Sequence, residues 1–565
     1  MQTRPEQIGA FDPAFPLERV ARLVAGDEQC IVPDDFDWGL PVRGYAARSM
    51  IARNSPVFPD LQARTVPILE ARDSLGRPRG PVGSIAYVFA GPYRGSAWGF
   101  FGVTSHDLFA ANGPKAATMA EVFSDTIDAL LARRFLYDLR SDLACYHDES
   151  QILAGVNVAN HGPARLAARV RITIGDDRPH ATDIDTAPGE DKRIEATLAR
   201  PPREANPQTI TAELLVAGRV VDRLRAAYVP WRPESHATGP RLTLRDNYFA
   251  CNGRPAFLCG TNTTGAIFYS MDEGPLTWDR DLAGMADAGL RLVRVLHFSP
   301  FAHRGYHGEV GHTALHLGRQ PPVRLIRQCD ALMQLAQKHG VAVFLTLHDW
   351  LPVALPDEEL DAQRTWNRFW ADRYRNVPGI LFDIQNEPDA RPGGDPISLG
   401  LWESYLTRSY GSPEAAWKTW GHADAPPRPL PVNTHAAERW DDLHARDRDR
   451  FRDHLLERWL RANARGIREG DPGRPFTIGL LQSPGTGDPA TAARAVTFSN
   501  CHYYGNPHDL AAQLKFIDRR AWGKSLSLGE FGSIPMHDQR THGRDGTMPR
   551  DSIDYYLDVG HYALV

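Results

Sequence analysis

From Ala256 to the end of the chain, apolar runs of strand length alternate with stretches of helical periodicity, and that alternation leaves few folds open. Strands that alternate with helices build βα units, in which the strands run parallel and the helices pack outside them. We read strands over 256–260, 290–297, 341–348, 380–386, 476–481, 496–504, 526–530 and 560–565, with helices over 280–288, 323–339 and 366–375. Eight such strands fit a (β/α)8 TIM barrel. The fourth run leads directly into Glu387 and Pro388, and the seventh stops on Glu530 between Gly529 and Gly532. In a parallel barrel the carboxyl ends of the strands converge on one pocket, so these two glutamates are placed to face each other across it.

The 565 residues exceed what one core holds, so the fold class expected is multidomain. Residues 1–80 are rich in Pro, Arg and Asp, and only 17–23 suggests a short helix. Two aromatic and β-branched runs, 82–89 and 96–103, read as a hairpin. A helix follows, with Met119, Val122, Phe123, Ile127, Leu130 and Leu131 on one face. From about 136 to 232 the pattern becomes short alternating strands (152–159, 164–174, 192–199, 208–217, 220–229) with turn residues between them, the signature of an Ig-like β-sandwich. Pro230, Pro233, Gly239 and Pro240 mark a linker. The expected order is thus an N-terminal accessory domain, small α/β or β-rich, over 1–135, a sandwich over 136–238 and the barrel over 239–565. Between Glu387 and Glu530 lies more chain than three βα units of about 31 residues need. The excess, 391–439, follows the fourth strand and would wall the pocket.

Composition narrows the partners. Lys+Arg 64 against Asp+Glu 69 gives a net charge of −5, which offers nucleic acid no basic field. The six cysteines show no paired or CxxC spacing, so neither a disulfide framework nor a zinc knuckle is expected. No export signal and no membrane-length apolar run are present. As written the chain reads as soluble and cytoplasmic, or periplasmic or secreted if truncated. It also ends at Val565, where the eighth strand would deliver its pocket residue, and is expected to be truncated there.

Two carboxylates across one pocket are the equipment of glycoside hydrolysis: one protonates the leaving oxygen while the other stabilises or attacks the anomeric carbon. Asn386-Glu387-Pro388 and Gly529-Glu530-Phe531-Gly532, with Arg294 after the second strand, His348 after the third, and His502 and Tyr504 after the sixth, resemble the signature of clan A retaining glycoside hydrolases. The strand-end motifs resemble family 5, and 401–421 resembles the segment after the fourth strand of family 42 β-galactosidases. The resemblance covers 240–565 and implies a retaining β-glycosidase acting on β-linked oligo- or polysaccharide, without cofactor or metal, with Glu387 as acid/base and Glu530 as nucleophile. It further implies that Arg294 and Tyr504 keep Glu530 ionised, that Asn386 contacts the sugar 2-hydroxyl, that His348 and His502 line the subsite, and that a homo-oligomer is in keeping with family 42. One departure is that the family presents an aromatic floor after the eighth strand, where this chain has ended.

Each residue also has a plainer reading. Glu387 beside Pro388 suits a helix N-terminus, and Glu530 suits a strand-end salt bridge. His348 and His502 suit buried structural histidines. Asp349, Trp350, Trp402, Trp417 and Trp420 suit either a sugar-stacking surface or core. Two rival functions stand beside the glycosidase. His297, His303, His307, His312 and His316 with Asp349 could build a metallohydrolase site, though without tight ligand spacing. A carbohydrate-binding pseudo-enzyme would bind sugar without turnover.

Overall fold

The computed structural model describes residues 116–202, 204–232, 239–264, 274–296, 323–349, 355–390, 392–432, 441–480, 488–504, 507–521 and 523–531, together with 321, 353 and shorter segments at 9–10, 17–21, 37–42, 45–46, 62–72, 78–91 and 93–101. Near the N-terminus, strands β1 (Gly9–Ala10), β2 (Leu17–Ala21), β3 (Asp37–Val42), β4 (Tyr45–Ala46), β5 (Gln62–Arg72), β6 (Pro78–Ala90) and β7 (Ala97–Phe101) form a β1-β4 pair and an antiparallel sheet in the order β3-β2-β5-β6-β7. The β6–β7 hairpin is the one expected. The helix expected over 17–23 is instead strand β2, paired with β3 and β5. A helix of two turns in isolation is marginal, and ladder bonds on both sides outweigh it. Helix α1 (Ala116–Ala132) covers this sheet with Val122, Phe123 and Leu130, while Ile127 and Leu131 stay exposed.

Strands β8 (Arg134–Ser141), β9 (Cys145–Tyr146), β10 (Gln151–Asn160), β11 (Leu166–Ile174), β12 (His180–Thr186), β13 (Glu190–Ala199), β14 (Gln208–Val216) and β15 (Arg219–Pro230) form two sheets, β13-β10-β8 and β12-β11-β14-β15-β9. Alternate residues such as Ile152, Ala154, Val156 and Val158 of β10 meet Val170, Ile172, Ile210 and Leu214 of the other sheet in one core. Strands β8 and β12 escape the sequence pattern because charged residues, Arg134, Asp138, Arg140, Asp183 and Asp185, interrupt their alternation.

A small antiparallel sheet, β16 (Leu242–Arg245), β17 (Tyr248–Cys251) and β18 (Arg254–Pro255), precedes the parallel strands. These are β19 (Gly260–Thr264), β20 (Leu292–Leu296), β21 (Ala342–Asp349), β22 (Ile380–Asn386) and β23 (Phe476–Gly479), hydrogen-bonded in that order, then the parallel pair β24 (Ser499–Tyr503) and β25 (Leu526–Phe531). Leu480 bridges Cys501 and joins β23 to β24, and the Asn262 amide reaches the Gly529 carbonyl at 3.3 Å between the first and last strands. The first strand was expected over 256–260 and lies instead over Gly260–Thr264. Gly260 is needed there because a Cβ would stand 2.1 Å from the Leu292 carbonyl oxygen. The eighth strand expected over 560–565 lies outside the described residues.

Helices α2 (Gly274–Asp287), α3 (Val323–His339), α4 (Asp357–Arg373), α5 (Pro396–Tyr410), α6 (Pro413–Thr419), α7 (Leu443–Gly470), α8 (Pro489–Ala495) and α9 (Pro507–Ala521) connect the strands. Outward residues Val343, Leu345, Leu347, Phe382 and Ile384 pack on Trp366, Trp370, Trp459 and Leu332 of these helices. Inward residues Ala342, Phe344, Leu381 and Phe498 close the amino-end half of the strand bundle, sealed from below by Leu242, Leu244 and Phe249 of the small sheet. Polar inward residues follow above them. Among the described residues, no helix is long and apolar enough to cross a membrane.

Candidate active site

The carboxyl ends of β20, β22, β24 and β25 bring together Arg294, Asp383, Asn386, Glu387, His502, Tyr504 and Glu530. A carboxylate oxygen of Glu387, a ring nitrogen of His502 and a carboxylate oxygen of Glu530 all lie within 4.8 Å of one another. Glu530 is buried, and both its oxygens are engaged: Arg294 Nη1 donates to Oε1 at 2.5 Å and the Tyr504 hydroxyl donates to Oε2 at 2.7 Å. His502 Nδ1 stands 2.8 Å from Glu387 Oε1 and 3.6 Å from Glu530 Oε2.

The surroundings of the two carboxyls differ. Burial works against the charge on Glu530, but His502, Arg294 and the Tyr504 hydroxyl outweigh it and leave the carboxyl below its ordinary value. The same contact pushes Tyr504 upward: burial comes first, then the hydrogen bond to Glu530. Glu387 is the more open of the two, with its side chain 27% exposed against 10% for Glu530. Its backbone has φ of 46°, in the left-handed region, and its amide donates to the Gly479 carbonyl at 2.9 Å.

Two supporting residues, Asp383 and Gly479, are not among the site residues expected from the sequence. Asp383, fully buried on β22, accepts from Arg294 Nη2 and from the Gly479 amide at 3.1 Å. Gly479 gives room to the site, since a Cβ there would lie 2.7 Å from His502 Nε2 and 3.1 Å from Arg294 Nη2. A signal for Asp383 was present: an acidic residue inside an otherwise apolar strand needs a buried partner, and Arg294, two strands away in the same sheet, is that cation.

Asn386 accepts from Arg294 Nη2 at 3.0 Å. His348 is placed elsewhere. It is fully buried, and its Nε2 bonds Asn367 of α4 at 2.9 Å; Asn367 in turn bonds Asn463 of α7 at 2.7 Å. Burial pushes the His348 ring down to about 4, against the bonds to Asn367 and Asn463, so it is neutral at ordinary pH. These bonds tie the strand to the helices. Trp402 is core as well, stacked on Trp420 and Tyr405 with no exposure. Trp350, the Asp349 side chain and the histidine-dense loop lie outside the described residues.

A second compact cluster, Cys145, His147 and Asp330, lies where the sandwich meets α3. In the first cluster Glu530 is held by Arg294 and Tyr504, and in the second Asp330 is held by Arg373, His147 and Tyr374.

No family model matches the chain, and a search of curated proteins found no match. Among solved structures it is similar to β-glucuronidase 2 of Bacteroides uniformis bound covalently to cyclophellitol-6-carboxylate aziridine, at 15% identity over 70% of this chain and 40% of that one, with a TM-score of 0.31. It is also similar to a GH2 β-galacturonidase from Eisenbergiella tayi bound to galacturonate, at 13% identity over 71% and 57% of the two chains, TM-score 0.29. A third is Bifidobacterium dentium β-glucuronidase complexed with coumarin-3-O-glucuronide, at 15% identity over 76% and 58%, TM-score 0.34. The chain thus spans less than two thirds of the length of each of these structures.

Proposed function

We propose that this chain is a retaining β-glycosidase, with Glu530 as nucleophile and Glu387 as acid/base. The observation that carries the reading is the approach of the two carboxylates within 4.8 Å, in surroundings that treat them unequally. Retaining enzymes hold their carboxyls about 5–5.5 Å apart, because the nucleophile must reach the anomeric carbon without an intervening water; inverting enzymes leave room for one, at about 6.5–9.5 Å.

In the first step the Glu530 carboxylate attacks the anomeric carbon as Glu387 gives its proton to the departing oxygen. The bond from carbon to the aglycone breaks and a glycosyl ester forms. In the second, Glu387 takes a proton from water, the water oxygen bonds the anomeric carbon, and Glu530 leaves as carboxylate. Arg294 and Tyr504 suit the nucleophile's role, because they favour the ionised form and stabilise it again as a leaving group. His502 suits the partner of a residue that alternately holds and lacks a proton: its Nδ1 can donate to a Glu387 carboxylate or accept from the acid.

A panel of activated aryl β-glycosides tests the reading. Wild type is expected to turn over at least one of them, and Glu530→Gln is expected to abolish that turnover while keeping the fold and most ground-state binding. Unchanged turnover in Glu530→Gln would remove the nucleophile assignment. Sugar binding by wild type with no turnover of any member would favour the pseudo-enzyme.

A further inference from the structure

Arg294 is 2% exposed and serves three acceptors on two strands: Glu530 on β25, and Asp383 and Asn386 on β22. Its charge is therefore divided between two carboxylates, only one of which faces the pocket. Asp383, with no exposure, has its other contacts on β23 and β21: the Gly479 amide donates to Oδ1 at 3.1 Å and the Thr346 hydroxyl to Oδ2 at 3.4 Å. The β22–β23 pairing shifts register between Asp383 and Asn386, where this side chain takes the Gly479 amide. The Gly479 carbonyl in turn receives the Glu387 amide at 2.9 Å. One buried carboxylate thus stands behind the supports of both glutamates.

We propose that Asp383 is a positioning residue: by gripping the far side of the Arg294 guanidinium and the Gly479 amide, it sets how the one buried cation is shared with Glu530 and where the Glu387 corner sits. The inference rests on the glycosidase reading for the roles of those glutamates. The ionisable groups facing Glu530 are Arg294 from β20, Glu387 beyond the end of β22, and His502 and Tyr504 at the end of β24. Asp383 acts on it through Arg294 and by direct charge; burial raises the Asp383 carboxyl above its ordinary value, with Arg294 and His502 working against that.

The test is Asp383→Asn in the full chain. Asparagine keeps the shape but offers one acceptor oxygen where three donors, Arg294 Nη2, the Thr346 hydroxyl and the Gly479 amide, converge, so the grip on Arg294 or on the Gly479 amide is lost. With a buried anion gone, Arg294 acts on Glu530 undivided. The acid limb of kcat/KM is expected to move to lower pH, with kcat per active site falling by about 10²-fold and KM little changed. Thr346→Val removes a donor from Asp383 at constant volume, which strengthens the Asp383 claim on Arg294. Its acid limb should move the opposite way, to higher pH, and this second variant serves if Asp383→Asn does not fold. A lower melting temperature with both acid limbs unmoved and kcat within about 3-fold of wild type would reduce Asp383 to a structural role and overturn the inference. If wild type hydrolyses no substrate, the infrared titration of the Glu530 carboxylate, its band identified with Glu530→Gln, is read in the same variants. Shifts in the two stated directions would then support the positioning role without the glycosidase reading, and an unmoved band would sink it.

Discussion

Glu387 occupies a backbone conformation that a side chain with a Cβ seldom adopts, with φ of 46°. Such a residue costs on the order of 1–3 kcal/mol and persists only where its surroundings over-determine it, here through the Gly479 carbonyl and His502. Glu387→Gly should therefore raise the urea midpoint, by a gain of about 1 kcal/mol, while slowing hydrolysis of aryl glycosides with poor leaving groups far more than of those with good ones. A midpoint that falls would show that the Glu387 side chain contributes more than its backbone strain costs. Tyr504 allows a cleaner test of electrostatics. Its hydroxyl helps hold Glu530 below the ordinary carboxyl range, and in the proposed nucleophile role Glu530 must be ionised, so activity is expected to be lost as pH falls through the Glu530 value. Tyr504→Phe removes one stabilising donor, raises that value, and should move the acid limb of kcat/KM upward. A limb that stays in place would assign the low value to Arg294 and His502 alone.

Between helices, two effects of opposite sign meet at Gly466. Alanine is favoured over glycine inside a helix by about 1 kcal/mol, so Gly466→Ala in the exposed middle of a helix would stabilise. Here α7 lies so close to α4 that a Cβ at 466 would stand 2.3 Å from the Arg364 carbonyl oxygen, and one at 470 would stand 2.5 Å from that of Arg368. Backbone cannot yield as a side chain can, and overpacking costs about 1–3 kcal/mol, so Gly466→Ala is expected to lower the urea midpoint. A higher midpoint would mean the helices separate freely. This packing also shows what the sequence could reveal. Strand ends on β22 and β25 were legible, because each is a short, mainly apolar or small-residue run that leads to a glutamate, although only β22 is buried throughout. The strand Gly260–Thr264 was not, since its polar residues carry no apolar pattern and its glycine is explained only by Leu292 on the neighbouring strand. The helix contacts of His348 were not legible for a related reason: Asn367, and Asn463 behind it, come from helices remote in sequence.

Across the whole molecule, the sandwich and the barrel half are held together by charge as much as by apolar contact. His147, stacked on Trp231 with ring centroids 4.9 Å apart, reaches Asp330 of α3 at 3.0 Å, and Arg373 of α4 grips the same carboxylate. Arg327 and Glu149 form a second ion pair across the boundary, and Gln334 donates to the Pro230 carbonyl. The N-terminal sheet is fastened to the sandwich in the same manner, by the buried pair Arg64 and Asp222. Burial disfavours the charge on Asp330, yet His147 and Arg373 outweigh it and hold the carboxyl below its ordinary value. A carboxyl lowered by folding adds stability that is present above its unfolded value near 4 and lost as pH falls through the folded one. Asp330→Asn removes the anion and leaves the half-buried Arg373 guanidinium without it, which at neutral pH should cost about 3 kcal/mol. The gap between variant and wild type should then narrow as pH is taken below about 4, because the unfolded wild-type chain takes up a proton at Asp330 before the folded one does. Urea midpoints from pH 7 down to pH 3 measure both parts of this expectation. A gap that is absent at pH 7, or that persists undiminished in acid, would mean that the apolar contacts of Val229, Cys145 and Cys329 hold this boundary on their own.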